Sequence, residues 1–420
     1  MYSNRMFARL SAIFLLTVTI FAVSISAQSN NAKNFVSSKL NATMSAEQIN
    51  QRMKAVFPDS NFEPTSKAVD LYKVSYRSKN EKDISVILTS LVALPKGEAP
   101  KGLVIFNHGT FADRNLSPSR FTGQANTSET ELATLAFASG GYAVAMPDYL
   151  GLGDDKGFHP YPVSAVNSLS AIDLIAPART VAARQGVALG SQLFITGYSE
   201  GGAVAMWTVR ELEKKSGTEY EIAAAAPMSG SYDLSGTTRE WLLAAPTNQE
   251  EFVIRLYLIS YMAYYFHKNK GAKLTDYLKP SMALTVSQAY KTNRSDESII
   301  KRLALAAVLM RAKNSIDNVI TPRFKKAIQT IDTSDPIVRE LKNNDVYDWT
   351  PRPKMPLINL EEDKVVDPGN TDKAYRTMRG RGVGKDMLEQ YVMRDKNLNH
   401  ITAIAPALAQ ARRFFDERFR

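Results

Sequence analysis

From Val69 onward the chain alternates between short apolar runs and longer stretches with helical spacing. "VDLYKVSYRS" and "DISVILTSLVAL" are β-rich runs joined by polar "KNEKD", a pattern that predicts an antiparallel pair. The rhythm then changes. "GLVIFNHG", "GYAVAMPD", "QLFITGYS" and "EIAAAAPMSG" are short and almost continuously apolar. Among them lie the helical stretches "SAVNSLSAIDLIAPARTVAARQG", with a bend expected at Pro177, and "GGAVAMWTVRELEKKSG", closed by Gly217. Strands apolar on both faces and alternating with helices predict a mostly parallel sheet covered on both sides, an α/β fold.

That alternation stops near Ser235 and resumes at "MPLINLEED". The stretch between, residues 236–350, is rich in helix formers and tyrosine. In "FVIRLYLISYMAYYF" the apolar positions recur at helical spacing, with Tyr257, Tyr261 and Tyr264 on one face. An ordinary core seam accounts for most of them; the wall of an apolar pocket is the sharper alternative. The predicted organisation is a polar spacer and short helix over 28–66, the first part of the core over 67–235, a helical cap or lid over 236–350, and the rest of the core over 351–420. The short helix should open at Ser45, with Gln48 completing a capping box.

Residues 1–27 form a segment of another kind. Arg5 and Arg9 precede "LSAIFLLTVTIFAVSISA", and polar "QSNNAKN" follows at once. This is the pattern of a signal peptide cleaved after Ala27, so the mature chain is expected to be exported, to the periplasm or beyond. Export permits disulfides, yet the 420 residues contain no cysteine. Packing alone must hold the fold, and a thiol nucleophile, a thiolate metal site and a lipidated cysteine are excluded. Net charge is +10, or +8 without the leader's two arginines. The basic residues are scattered, which fits a solvated surface with weak attraction to a membrane or lipid interface and does not fit a nucleic-acid module.

The candidate chemistry stands at the strand ends, where open α/β sheets bind ligands. Ser199 sits in "ITGYSEGG" between Gly197 and Gly201, a G-x-S-x-G turn from strand to helix. Asp363 follows the strand in "INLEEDKVVD", and His400 follows "EQYVMRDKNLNH". A serine hydroxyl needs a base to accept its proton, imidazole titrates near neutrality, and a carboxylate fixes the imidazole tautomer. Asp363 fits D-x-V-V, with Asp367 and Glu362 as alternatives. The amide of Glu200, opening a helix, and the loop at Thr110 would supply the oxyanion donors, with the Thr110 hydroxyl adding a further bond. Of the other histidines, His108 shapes the donor loop, His159 orders a loop, and His267 ends the aromatic helix. Asp148 bonds loop amides. No metal-ligand spacing or phosphate-binding glycine loop is present, so no metal and no cofactor are expected.

On "NHGT", "MPDYLGLGDDKGFHPY", "GYSEGG" and "NDVYDWTPRPKMPLINLEEDKVVDP" the chain resembles the α/β-hydrolase superfamily, and within it the secretory lipases, over residues 70–410. The resemblance implies a Ser-His-Asp acyl hydrolase with a helical cap after the sixth core strand. It departs where similar enzymes carry His-Gly before the acid and this chain carries "NLEE". The expected activity is hydrolysis of carboxylic esters, with long acyl chains favoured over short by the aromatic cap. A serine peptidase on the same fold and a non-catalytic binding protein are the rival readings.

Overall fold

The structure is a computed structural model that describes residues 33–215 and 220–419. The leader and Gly217 lie outside the described residues. Nine strands form one sheet: β1 Phe35–Met44, β2 Val69–Lys79, β3 Ser85–Pro95, β4 Leu103–Asn107, β5 Ala143–Pro147, β6 Gln192–Tyr198, β7 Glu221–Met228, β8 Met355–Leu360 and β9 Leu388–Met393. Their order is β1-β2-β3-β5-β4-β6-β7-β8-β9. β1 to β3 pair antiparallel, as does β3 with β5; from β5 across to β9 every pairing is parallel.

The continuous apolar runs occupy the middle of this sheet. Every residue of β4, β5 and β8 is buried. Two cores follow, one on each face. On one side Phe106, Val144, Phe194 and Tyr198 pack against Phe137, Leu408 and Phe415. On the other Ile105, Ala145 and Ile195 pack against Leu174, Val181, Met206 and Val209.

One local expectation changes. Residues 35–44 were read as spacer, yet they form β1, paired with β2. As an edge strand β1 exposes most of both faces, so it carries no alternation of apolar and polar residues. Pro177 lies inside a continuous helix, Ser164–Arg184. The Ser45–Gln48 capping box is present.

Between β7 and β8 stand helices that include Gln249–Lys270, Pro280–Ala289, Asp296–Leu309, Pro322–Thr330 and Pro336–Asn343. They have a core of their own, built on Leu256, Ile259, Tyr265, Leu303, Phe324 and Leu341. Gln249–Lys270 is apolar almost all round because it runs through that core. Asn248 caps its start and Gly271, at φ 72°, closes its end. Among the described residues no helix is long and apolar enough to cross a membrane.

Candidate active site

β6 runs directly into the helix Glu200–Lys214, and Ser199 is the single residue of the turn, at φ 59° and ψ −123°. A non-glycine residue in that region is strained. The turn fits because the neighbouring backbones come close. A Cβ on Gly201 would lie 1.9 Å from the Asn107 carbonyl oxygen, and one on Gly197 would lie 2.2 Å from the Gly201 oxygen. Glycine is what permits the helix to start against β4, and the consequence is an upturned, half-buried serine.

His400 meets that serine from the loop after β9. Its Nε2 is 2.9 Å from Ser199 Oγ, and its Nδ1 is 2.7 Å from Asp363 Oδ2. A carboxylate accepts, so Nδ1 carries the hydrogen and Nε2 faces the serine with a lone pair. Asp363 is itself fixed: Oδ1 accepts the amides of Val365 and Val366 at 2.9 and 3.0 Å. The Tyr198 hydroxyl donates to the His400 carbonyl at 2.7 Å, tying the histidine loop to the residue before the serine. The three residues named from sequence are therefore joined in one hydrogen-bonded series. The two alternative acids are elsewhere. Glu362 is exposed, and Asp367 Oδ1 accepts the Gly369 amide at the start of the helix Gly369–Gly380.

The donor loop is more elaborate than the sequence suggested. Glu200 is the first residue of its helix, so its amide has no carbonyl of an earlier turn to bond. The Gly109 amide donates to Glu129 Oε2 at 2.9 Å. Thr110 differs from expectation in its side chain: Oγ1 donates to Glu200 Oε2 at 2.8 Å, so its hydrogen is committed to that carboxylate. Glu200 Oε1 in turn faces His159 Nε2 at 2.9 Å and Asn167 Nδ2 at 3.0 Å. His159 thus does more than order its loop. His108 Nδ1 bonds the Gly109 carbonyl at 2.8 Å, the shaping contact anticipated, and burial lowers its pKa to about 4. Burial, reinforced by the negative charge of Glu200, raises Glu129 to about 8. Asp148 accepts the Ser119 amide at 2.8 Å, and His267 is exposed with Nδ1 on the Ala272 carbonyl.

Glu129, Asn167 and the carboxylate of Glu200 were not singled out in the sequence. None belongs to a local motif. Their contacts span 20 to 90 positions, so only the folded chain unites them.

Ser199, His400, Gly109, Thr110, Glu129 and Glu200 line one cavity of about 410 Å³. Its other walls include Trp241, Leu242, Ile254, Tyr257 and Met262 from the helices between β7 and β8. Of the three tyrosines expected on one face, Tyr257 reaches the cavity. Tyr261 and Tyr264 instead stack on Tyr290, at 5.4 and 5.2 Å between ring centres.

No family model and no curated protein matches this chain. Solved structures do. A Legionella pneumophila protein provisionally described as a hydrolase superposes with a TM-score of 0.80 at 23% identity, covering 92% of this chain and 99% of its own. The rice cell wall degrading esterase LipA from Xanthomonas oryzae gives 0.76 at 22%, covering 92% and 99%. This chain has the α/β-hydrolase fold. Candida antarctica lipase A in its closed state shares it more distantly, with a TM-score of 0.62 at 14% identity over 92% of this chain and 82% of that one. Within the α/β-hydrolase frame β2 to β9 are the eight core strands, and the helical insertion leaves after the sixth.

Proposed function

We propose that this chain is a serine hydrolase of carboxylic esters that works through an acyl-enzyme. Ser199 Oγ attacks the ester carbonyl carbon as His400 Nε2 takes the hydroxyl proton, and Asp363 balances the charge that appears on the ring. The tetrahedral adduct collapses, the C–O bond to the alcohol breaks, and the leaving alkoxide receives the proton from Nε2. Water then attacks the acyl group by the same route, releasing the acid and restoring Ser199. The oxyanion lies between the amides of Glu200 and Thr110, since Gly109 already gives its amide to Glu129. Each such donor contributes about 3 kcal/mol to the transition state.

The observation that carries this reading is the series Asp363–His400–Ser199 at the floor of an apolar cavity. An esterase and a lipase among the structural relatives support esters over amides. The apolar wall from Trp241 to Met262 supports an alkyl or aryl acyl group longer than acetyl, with the helical insertion acting as its cap. The leader sequence supports work outside the cytoplasm.

A fluorophosphonate followed by peptide mass spectrometry tests it. One phosphonyl group per chain is expected, on the peptide carrying Ser199, and labelling should slow severely in His400→Ala. A folded wild-type chain that stays unlabelled, or is labelled elsewhere, would end the proposal. Aminoacyl-naphthylamides should not turn over; efficient cleavage would favour a peptidase.

A further inference from the structure

The loop that follows Thr110 is tied to the helical insertion, in addition to core contacts from the Phe111 ring to His108 and from the Arg114 guanidinium to the Asp155 and Gly157 carbonyls. Four hydrogen bonds cross from the insertion to four consecutive residues. The Tyr261 hydroxyl donates to the Phe111 carbonyl at 3.0 Å. Asp296 accepts the Ala112 amide on Oδ1 at 2.7 Å and the Asp113 amide on Oδ2 at a longer 3.5 Å. Asn293 Oδ1 accepts the Arg114 amide at 3.0 Å. Asp296 is aimed by the Tyr257 hydroxyl, which donates to the same Oδ1 at 2.6 Å. Tyr261 is fixed by nearly parallel stacking on Tyr161 and on Tyr290, at 5.4 Å each between ring centres. Tyr257 and Tyr261 are both buried.

We infer that Asp296, with Tyr257 and Tyr261, is a positioning residue for the oxyanion site: the insertion sets the direction of the Thr110 amide through residues 111–113. The inference rests on the ester-hydrolase reading above. Its physical basis is the short lever. The clamped carbonyl and amides begin one residue after the proposed donor, and an oxyanion donor acts only when already aimed. Gly109 is held from the core side by Glu129 and Thr110 by Glu200, so the two sides together fix the loop. On this account the insertion is a built-in part of the reaction centre. It does not simply cover it.

The test compares Asp296→Ala, Asp296→Asn and Tyr261→Phe with the wild-type chain on one p-nitrophenyl ester, its thionoester analogue and a thermal melt. Asp296→Ala should lower kcat about 10- to 100-fold with KM within about twofold, the size expected when a donor is misaimed but present. Asp296→Asn keeps the oxygen that takes Ala112 and Tyr257, so it should recover most of that loss. Tyr261→Phe should fall between. The oxoester rate should drop more than the thionoester rate, because sulfur draws less on the donors. A loose cap without an oxyanion role would lower both rates alike or raise KM, and would overturn the inference. So would unchanged kcat in Asp296→Ala, or, where that variant fails to fold, in Tyr261→Phe. A wild-type chain that hydrolyses no ester would instead remove the underlying reading, and the inference with it.

Discussion

His159 Nε2 lies 2.9 Å from Glu200 Oε1, with both side chains buried and Glu200 immediately following Ser199. Glu200 faces three donors: His159 and Asn167 on one oxygen, Thr110 Oγ1 on the other. In the proposed mechanism its backbone amide serves the oxyanion, while its side chain bonds the Thr110 hydroxyl of the facing loop. An amide side chain cannot accept on both ends. Glu200→Gln should therefore leave one buried donor unmatched, costing about 1–3 kcal/mol of stability in urea titration. It should also lower kcat more than it raises KM. Unchanged stability and turnover would show that the brace is idle.

The glycines around Ser199 predict a sharp contrast. Overpacking a core typically costs about 1–3 kcal/mol, and more where the obstacle is backbone, as the Asn107 carbonyl is for Gly201. Gly201→Ala should lose at least about 3 kcal/mol or fail to yield folded protein. Gly190→Ala, with open space around its added methyl, should stay within about 0.5 kcal/mol of wild type. Comparable melts for the two would refute the close-approach explanation.

Glu129 predicts a dependence on pH. The ordinary glutamate value is 4.5 and burial raises this one to about 8. Between those values the folded protein keeps a proton that the unfolded chain gives up, so stability falls as pH rises through the interval. Glu129→Gln removes the group. The Tm of the variant relative to wild type should therefore climb from pH 5 to pH 9 and then level off. A constant difference would mean that Glu129 titrates normally.

His108 works in the opposite direction. Burial lowers it from 6.5 to about 4, so below pH 6.5 the unfolded chain takes a proton that the folded chain refuses. Its contribution to stability is complete above 6.5 and is lost as pH falls toward 4. In an NMR titration its ring signals should stay unprotonated at pH 5.5. A midpoint near 6.5 would contradict the buried placement.

The serine turn was legible because its signal is local: an apolar strand, a glycine-flanked serine and a helix lie within about a dozen residues. The acid was harder to choose, since Glu362, Asp363 and Asp367 all follow β8 within seven positions. What separates them is the backbone of the turn, which directs two amides at Asp363 Oδ1 and leaves Oδ2 for His400. The Thr110 hydroxyl went to Glu200 because a buried carboxylate is the stronger acceptor nearby, a contact between residues 90 positions apart. β1 was missed for another reason. Its exposed faces leave no periodicity to read.

The cavity predicts an acyl-length series. Burying a methylene is worth about 0.8 kcal/mol, close to fourfold in kcat/KM. From p-nitrophenyl acetate upward, kcat/KM should rise by up to about that factor per methylene until the apolar wall is filled. Trp241→Ala should flatten the series. A steady fall from acetate onward would overturn the placement of the acyl group along Trp241, Leu242 and Met262.

Ser199, His400 and Asp363 form one hydrogen-bonded series, and the proposed chemistry needs them to act as a unit. The most direct test is ester turnover by Ser199→Ala, purified and shown by melting to be folded. Removing the nucleophile of such a unit costs on the order of 10⁶ in kcat where it has been measured, so a loss of at least about 10⁴ is predicted here. A folded Ser199→Ala chain that hydrolyses the ester at the wild-type rate would contradict the account.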